Sequence, residues 1–194
     1  MPEDISATDP LLADCRFGGE KDASGPGFGE RLYEFVTPLF ADAEEDFQRI
    51  IRAACLLHDV SWRAHPDFRA NLCFETATRS NLGGLKHWER VFLGVSLLHR
   101  YRNKRAGSPY SDLFPLLSDT QIEQAEILGK AMRIGAMLWV KDNKKRAALN
   151  WNETTRELVL ELSQKNADLF GEVCAARLGS LASTLNASSR LLLV

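Results

Sequence analysis

Apolar residues recur with a helical period along several segments between residues 30 and 140, and this recurrence constrains the fold more than any other feature of the sequence. Residues three and four places apart lie on one face of an α-helix, so each segment carries an apolar stripe that must pack against another element. The clearest stripes span residues 47–57, 88–98 and 122–136. The sequence therefore predicts a mainly α-helical body.

Capping residues set the expected ends of these helices. Asp42 and Glu45 have the spacing of a capping box, and Ser118 is a typical N-cap. The predicted helices cover residues 30–37, a segment after Asp42 that ends near Val60, 66–80, 86–102 and 118–140. The second of these helices is expected to carry His58 and Asp59 in its last turn.

The period changes after residue 146. Alternate leucines between residues 158 and 162 predict a half-buried strand, and Leu149 and Trp151 predict its hairpin partner, with the turn at 152–155. Helical spacing returns over residues 167–187. The predicted fold class is a mainly α body followed by a small C-terminal subdomain that contains a β-hairpin and a helix.

Composition divides the chain into three expected parts. Residues 1–28 are polar and contain Gly and Pro, which is typical of a leader or linker that is ordered in part. Residues 29–146 form the helical domain and 147–194 the small α+β subdomain. No apolar run approaches the roughly 20 residues that cross a membrane, and no secretory signal is visible. Four separated cysteines without a CxxC pair favour buried thiols in the cytoplasm.

Charge is distributed unevenly around a net value of −2. Residues 1–60 carry five Lys/Arg and thirteen Asp/Glu, whereas residues 61–105 carry nine Lys/Arg and three Asp/Glu. One interpretation is that the two segments neutralise each other across the fold. The other is that the middle segment forms an anion-binding face, because guanidinium groups bind phosphate oxygens through paired hydrogen bonds. The basic residues concerned are Arg63, Arg69, Arg79, Arg90, Arg100, Arg102, Lys104 and Arg105.

The adjacent pair His58 and Asp59 is the candidate for metal chemistry. In metal phosphohydrolases of the HD type, such a pair meets a divalent ion together with a histidine from an earlier helix. Residues 1–57 contain no histidine, so the set of ligands is incomplete. The pair is therefore expected to be structural, with no metal bound. No GxGxxG, GxxxxGK[ST] or GxSxG sequence occurs, and no catalytic residue is assigned.

The segment 53–69, AACLLHDVSWRAHPDFR, resembles the C-terminal region of the exopolyphosphatase/guanosine pentaphosphate phosphohydrolase family. Residues 9–12, 32–33, 37–40 and 100–101 agree with it, and the likeness covers most of residues 9–185. The resemblance implies an HD-domain-like helical body with a small terminal subdomain. It also implies that the actin-like catalytic domain, which binds phosphate and Mg²⁺ in the family, is not part of this chain, which itself needs no cofactor.

In full-length members of that family, the C-terminal portion helps to form a homodimer and extends the channel that holds polyphosphate. The resemblance therefore implies an accessory domain that binds a polyanion, with Arg63, Arg69, Arg100 and Arg102 as the residues to test. Ser61 stands where the family usually has Gly. Two alternatives stay open, a stand-alone HD-type metal phosphohydrolase and a purely structural dimerisation module. Polyphosphate and guanosine pentaphosphate both stay open as the substrate of the full-length enzyme.

Overall fold

The structure is a computed structural model that describes residues 9–22, 27–103, 108–138 and 147–194. Its helices are α1 (Pro10–Asp22), α2 (Phe28–Val36), α3 (Glu45–Leu56), α4 (Pro66–Arg79), α5 (His87–Tyr101), α6 (Asp119–Met137) and α7 (Glu172–Thr184). Short 3₁₀ helices cover Thr37–Phe40, Ser111–Leu116 and Gln164–Leu169, and the strands are β1 (Ala147–Asn152), β2 (Glu157–Leu162) and β3 (Ser188–Leu193). The predicted fold class is confirmed.

Helix α5 is the centre of the helical body, with α4 and α6 packed against it. Its residues from Val91 to His99 are all buried. Two glycines allow these neighbours to come close. The ring of Phe74 on α4 packs over Gly94, and Gly129 on α6 lies directly against the backbone of α5 at Ser96 and His99. A helix buried on every side explains why its sequence is almost continuously apolar.

Several predicted helix ends are confirmed and two are wrong. Ser118 caps α6 as expected, because its Oγ accepts a hydrogen bond from Gln121 N at 3.2 Å and its own N donates to Gln121 Oε1 at 2.9 Å. The capping box of Asp42 is wrong, since α3 starts at Glu45 after an N-cap, Glu44, that makes no side-chain bond. The expected end of this helix near Val60 is also wrong, as it stops at Leu56.

Helix α1 lies in the segment that was expected to be a leader or linker. Leu11 and Cys15 are completely buried in the core, and α1 packs on α3. Gly19 makes this packing possible, because a Cβ there would clash with the carbonyl oxygen of Leu56. Gly19 is therefore part of a close contact between two helices and not of a linker.

The small sheet has the strand order β1-β2-β3. The predicted hairpin is confirmed, with β1 and β2 antiparallel and Trp151 opposite Leu158. Strand β3 was not predicted. It pairs with β2 in parallel, with Leu191 beside Leu160, after α7 crosses over the sheet. No described helix has the length and apolar character needed to span a lipid bilayer.

Candidate functional site

His58 and Asp59 lie in a run of turns over residues 57–63 that joins α3 to α4, and not in the last turn of a helix. The α3 ladder closes with Leu57 N bonded to Ala53 O at 3.0 Å. The chain then continues through four-residue turns, one of which is closed by the bond from Val60 N to Leu57 O at 3.1 Å. The two side chains therefore leave the backbone in directions that differ from those on a regular helix.

The His58 imidazole is buried, with 3% of the residue exposed. Its Nδ1 lies 2.9 Å from the carbonyl oxygen of Cys55, so Nδ1 carries the proton and donates it. The ring packs edge-on against Phe28 at 5.1 Å between centroids. Burial, together with the positive charge of Arg100, lowers the pKa of His58 to about 4, despite the opposing effect of Asp59. The imidazole is thus neutral at physiological pH.

Asp59 is bonded to Tyr101 at the end of α5. The Tyr101 hydroxyl donates to Asp59 Oδ1 at 3.2 Å and lies 3.4 Å from His58 O. Burial raises the pKa of Tyr101, which keeps the hydroxyl protonated as a donor. Within the part of the chain that the structure describes, no group of three or more His, Cys, Asp or Glu side chains is arranged to hold a metal ion. The pair ties the 57–63 turns to α5.

The four arginines singled out in the sequence lie in different surroundings. Arg63 is exposed, with its guanidinium carbon 5.1 Å from the centroid of the Trp62 ring. Arg69 on α4 donates from Nε to Ala64 O at 2.9 Å and so supports the turn before its own helix. Arg102 follows the last residue of α5. Lys104 and Arg105 lie outside the described residues.

Arg100 is brought together with two arginines from other helices, Arg133 on α6 and Arg177 on α7. The side-chain amide of Asn103 joins the latter two, since its Oδ1 accepts from Arg133 Nη1 at 3.4 Å and from Arg177 Nη1 at 3.1 Å. Arg100 lies over the Tyr101 ring, 4.8 Å from its centroid, and its charge acts on Arg133. We call Arg100, Arg133 and Arg177 with Asn103 the arginine cluster.

The packing of α6 against α5 and α7 places this cluster. Gly129 sets the close approach of α6 to α5, one helical turn before Arg133. Lys130 fixes α6 to α7, because its Nζ donates to Thr184 Oγ1 at 2.6 Å and pairs with Glu126 at 2.8 Å. With the two helices held there, Arg133 and Arg177 both reach Asn103 beyond the end of α5.

No carboxylate of the described residues forms an ion pair with Arg100, Arg133 or Arg177. Burial and the charges of Arg177 and Arg100 lower the pKa of Arg133 to about 10. The Nε atoms of Arg100 and Arg177 are buried and, among residues 9–22, 27–103, 108–138 and 147–194, have no hydrogen-bond acceptor. The ion pairs of these ranges use other cations. An anion bound to the terminal N–H groups of these guanidiniums would relieve the repulsion.

Comparison with known proteins supplies the family. A family model described as exopolyphosphatase, C-terminal, matches residues 31–193. The chain belongs to this family. No curated protein matches the chain. The exopolyphosphatase C-terminal match confirms the resemblance inferred from segment 53–69 and extends from Arg31 within α2 to Leu193, the last residue of β3.

Sequence reasoning found one arginine of this exopolyphosphatase C-terminal domain's cluster and missed two. Arg133 was overlooked because residues 106–194 carry ten Lys/Arg and ten Asp/Glu and are neutral overall. A signal was present, since Lys130 and Arg133 are separated by one helical turn inside the otherwise apolar run 127–138. Cations on the buried side of a helix need an anionic partner or ligand. Arg177 had no comparable signal.

Proposed function

We propose that this chain is an accessory domain of an exopolyphosphatase-type hydrolase and that it binds polyphosphate through the arginine cluster. Hydrolysis is the task of an N-terminal catalytic domain of the full-length enzyme, which also uses the Mg²⁺. The observation that carries the proposal is the meeting of Arg100, Arg133 and Arg177, none of which forms an ion pair with a carboxylate of the described residues. Each guanidinium can bind phosphate oxygens through two N–H groups.

Positive charge continues from the arginine cluster towards α4, as an extended ligand requires. Arg102 follows Arg100 by two residues, and the charges of both Arg102 and Arg79 act on Tyr110. The Tyr110 hydroxyl is held by Glu75 Oε1 at 2.9 Å. A chain of phosphates bound at the cluster would therefore meet further cations, whereas a single phosphate would not use them. This continuity favours a polyanion as the ligand.

The salt dependence of binding tests the proposal. Labelled polyphosphate is titrated into the protein at several salt concentrations. Three phosphate contacts predict a slope of about −2 for the logarithm of the association constant against the logarithm of salt concentration, because counterions are released. Micromolar binding that does not change with salt, or no binding at low salt, would contradict the proposal.

Dimerisation is the second part of the proposed function, and an exposed apolar face of α4 supports it. Phe68 is 61% exposed and Leu72, one turn later, is 40% exposed. Together with Pro109 and Tyr110 they line a cavity of about 430 Å³. Apolar side chains that form a continuous exposed surface are typical of contact sites between proteins. We infer that this face joins two copies of the chain.

Replacing Phe68 by glutamate is expected to weaken the dimer by at least about a hundredfold, because a charge would be buried at the centre of the contact. Light scattering over a concentration series measures the dissociation constant. Phe17→Glu is the matched control, since Phe17 on α1 is also exposed, at 71%. A wild-type monomer, or a Phe68→Glu protein as dimeric as the Phe17→Glu protein, would refute this assignment.

A further inference from the structure

A second cavity is lined by acidic side chains and by no Lys or Arg. It has a volume of about 620 Å³ and is formed where the 3₁₀ helix Thr37–Phe40 and the start of α3 meet α5, α6 and β1. Its aromatic lining includes Phe47, Trp88 and Trp151. Phe47 is held in place by an edge-on contact with the buried Phe92 at 5.0 Å. Cavities of this size at the junction of two structural units are typical of sites for small molecules.

The charged side chains that line this cavity are all acidic. Its lining contains three carboxylates, Asp42, Glu44 and Glu153, and no Lys or Arg. None of the three forms an ion pair with a cation in the described ranges of the chain. Asp42 and Glu44 belong to the acidic first 60 residues, so the field over the opening attracts cations.

One cation of the chain already lies against an aromatic ring of this cavity. The guanidinium carbon of Arg156 lies 5.3 Å from the centroid of Trp151. Arg156 does not line the cavity, because its guanidinium group donates to the carbonyl oxygens of Leu185 and Asn186 at the end of α7. Trp151 is thus held by strand β1 and by the contact of its ring with this arginine, which makes it a rigid wall for a ligand.

We propose that this cavity binds a small organic cation of the quaternary-ammonium type. Aromatic rings attract a cation whose charge is spread over methyl groups, because such an ion loses little hydration when it contacts them. Asp42, Glu44 and Glu153 supply the attraction at longer range. A hydrated metal ion would gain nothing from the apolar walls, and an anion would be repelled. The site is therefore distinct in chemistry from the arginine cluster.

Choline and its uncharged analogue 3,3-dimethylbutan-1-ol test the proposal with the whole chain. The two compounds are titrated while the indole N–H resonances of Trp88 and Trp151 are followed by NMR. Choline is expected to shift both resonances and to bind at least about tenfold more tightly than the analogue. Equal binding of the two compounds, or no shift with choline, would overturn the proposal.

A variant in which the three carboxylates are neutralised tests whether they attract choline. Asp42→Asn/Glu44→Gln/Glu153→Gln is expected to weaken choline binding about tenfold, and its fold is expected to persist because all three residues are exposed. Asp112→Asn/Asp168→Asn/Glu172→Gln removes the same charge from exposed positions that do not line the cavity. The proposal fails if both triple variants weaken choline binding equally or if neither does.

Discussion

Replacement of Gly129 by alanine is expected to destabilise the protein by about 3 kcal/mol, the cost of a severe steric overlap in a packed core. A Cβ at this position would clash with Ser96 O and with the Cβ of His99, and would lie 2.9 Å from the carbonyl carbon of His99. Two of these atoms belong to the backbone of α5, which is buried and cannot move aside. Relief would require α6 to separate from α5, which would also displace Arg133 from Asn103.

Urea unfolding of the wild type and of two alanine variants measures this effect. Gly179→Ala is the control, since Gly179 lies inside α7 and a Cβ there would meet nothing within 4 Å. That variant is expected to gain up to about 1 kcal/mol, because alanine has the higher helix propensity. If the two variants lose the same stability, the close approach of α6 to α5 is not as described.

Acidification from pH 7 to pH 5 is expected to remove about 2 kcal/mol of stability through His58 alone. The unfolded chain binds a proton on this imidazole near pH 6.5, whereas the folded protein does not bind it until about pH 4, because of burial and of Arg100. The unfolded state therefore carries more protons throughout this interval. Stability falls as the pH is lowered through 6.5 towards 4, and it does not depend on His58 above that range.

Unfolding free energies at pH 7, 6 and 5 test this expectation. The His58→Gln protein is expected to be less stable than the wild type at pH 7 and to lose less on acidification. His65→Gln serves as the control, because the side chain of His65 is 66% exposed. Identical pH dependence in wild type and His58→Gln would show that His58 is not held neutral.

Most of the fold could be predicted because short segments of the sequence determine most of its helices and strands. The apolar stripes of α3, α5 and α6 and the alternation in β2 are visible within short windows of sequence. Helix α1 and strand β3 were missed for a physical reason. In the sequence, Gly19 looks like a residue of a linker. Its role in helix packing is visible only in the fold, where Leu56 lies against it. Strand β3 has no alternation, and its place is set by parallel pairing with β2 after the α7 crossover.

The expected neutralisation between the acidic and basic segments is not what the ion pairs of Glu30 show, and the anion-binding face stays a prediction. Part of the acidic segment is neutralised within itself, where Glu30 pairs with Arg16 at 3.0 Å and with Arg52 at 2.7 Å. Arg100 from the basic segment instead faces other arginines. Sequence counting could not show this, because Arg133 and Arg177 come from a segment whose charges sum to zero and reach Arg100 through tertiary packing alone.

Binding of polyphosphate by the arginine cluster can be measured directly. Labelled polyphosphate is titrated into the wild type, into Arg133→Gln/Arg177→Gln, and into the control Arg16→Gln/Arg190→Gln. The control removes the same charge from two arginines in ion pairs elsewhere, on α1 and β3. We expect the cluster variant to bind at least about a hundredfold more weakly and to lose about 1.4 from its salt slope, with the control unchanged. Equal affinity and equal salt slope in the two double variants would contradict the assignment of polyphosphate binding to this cluster.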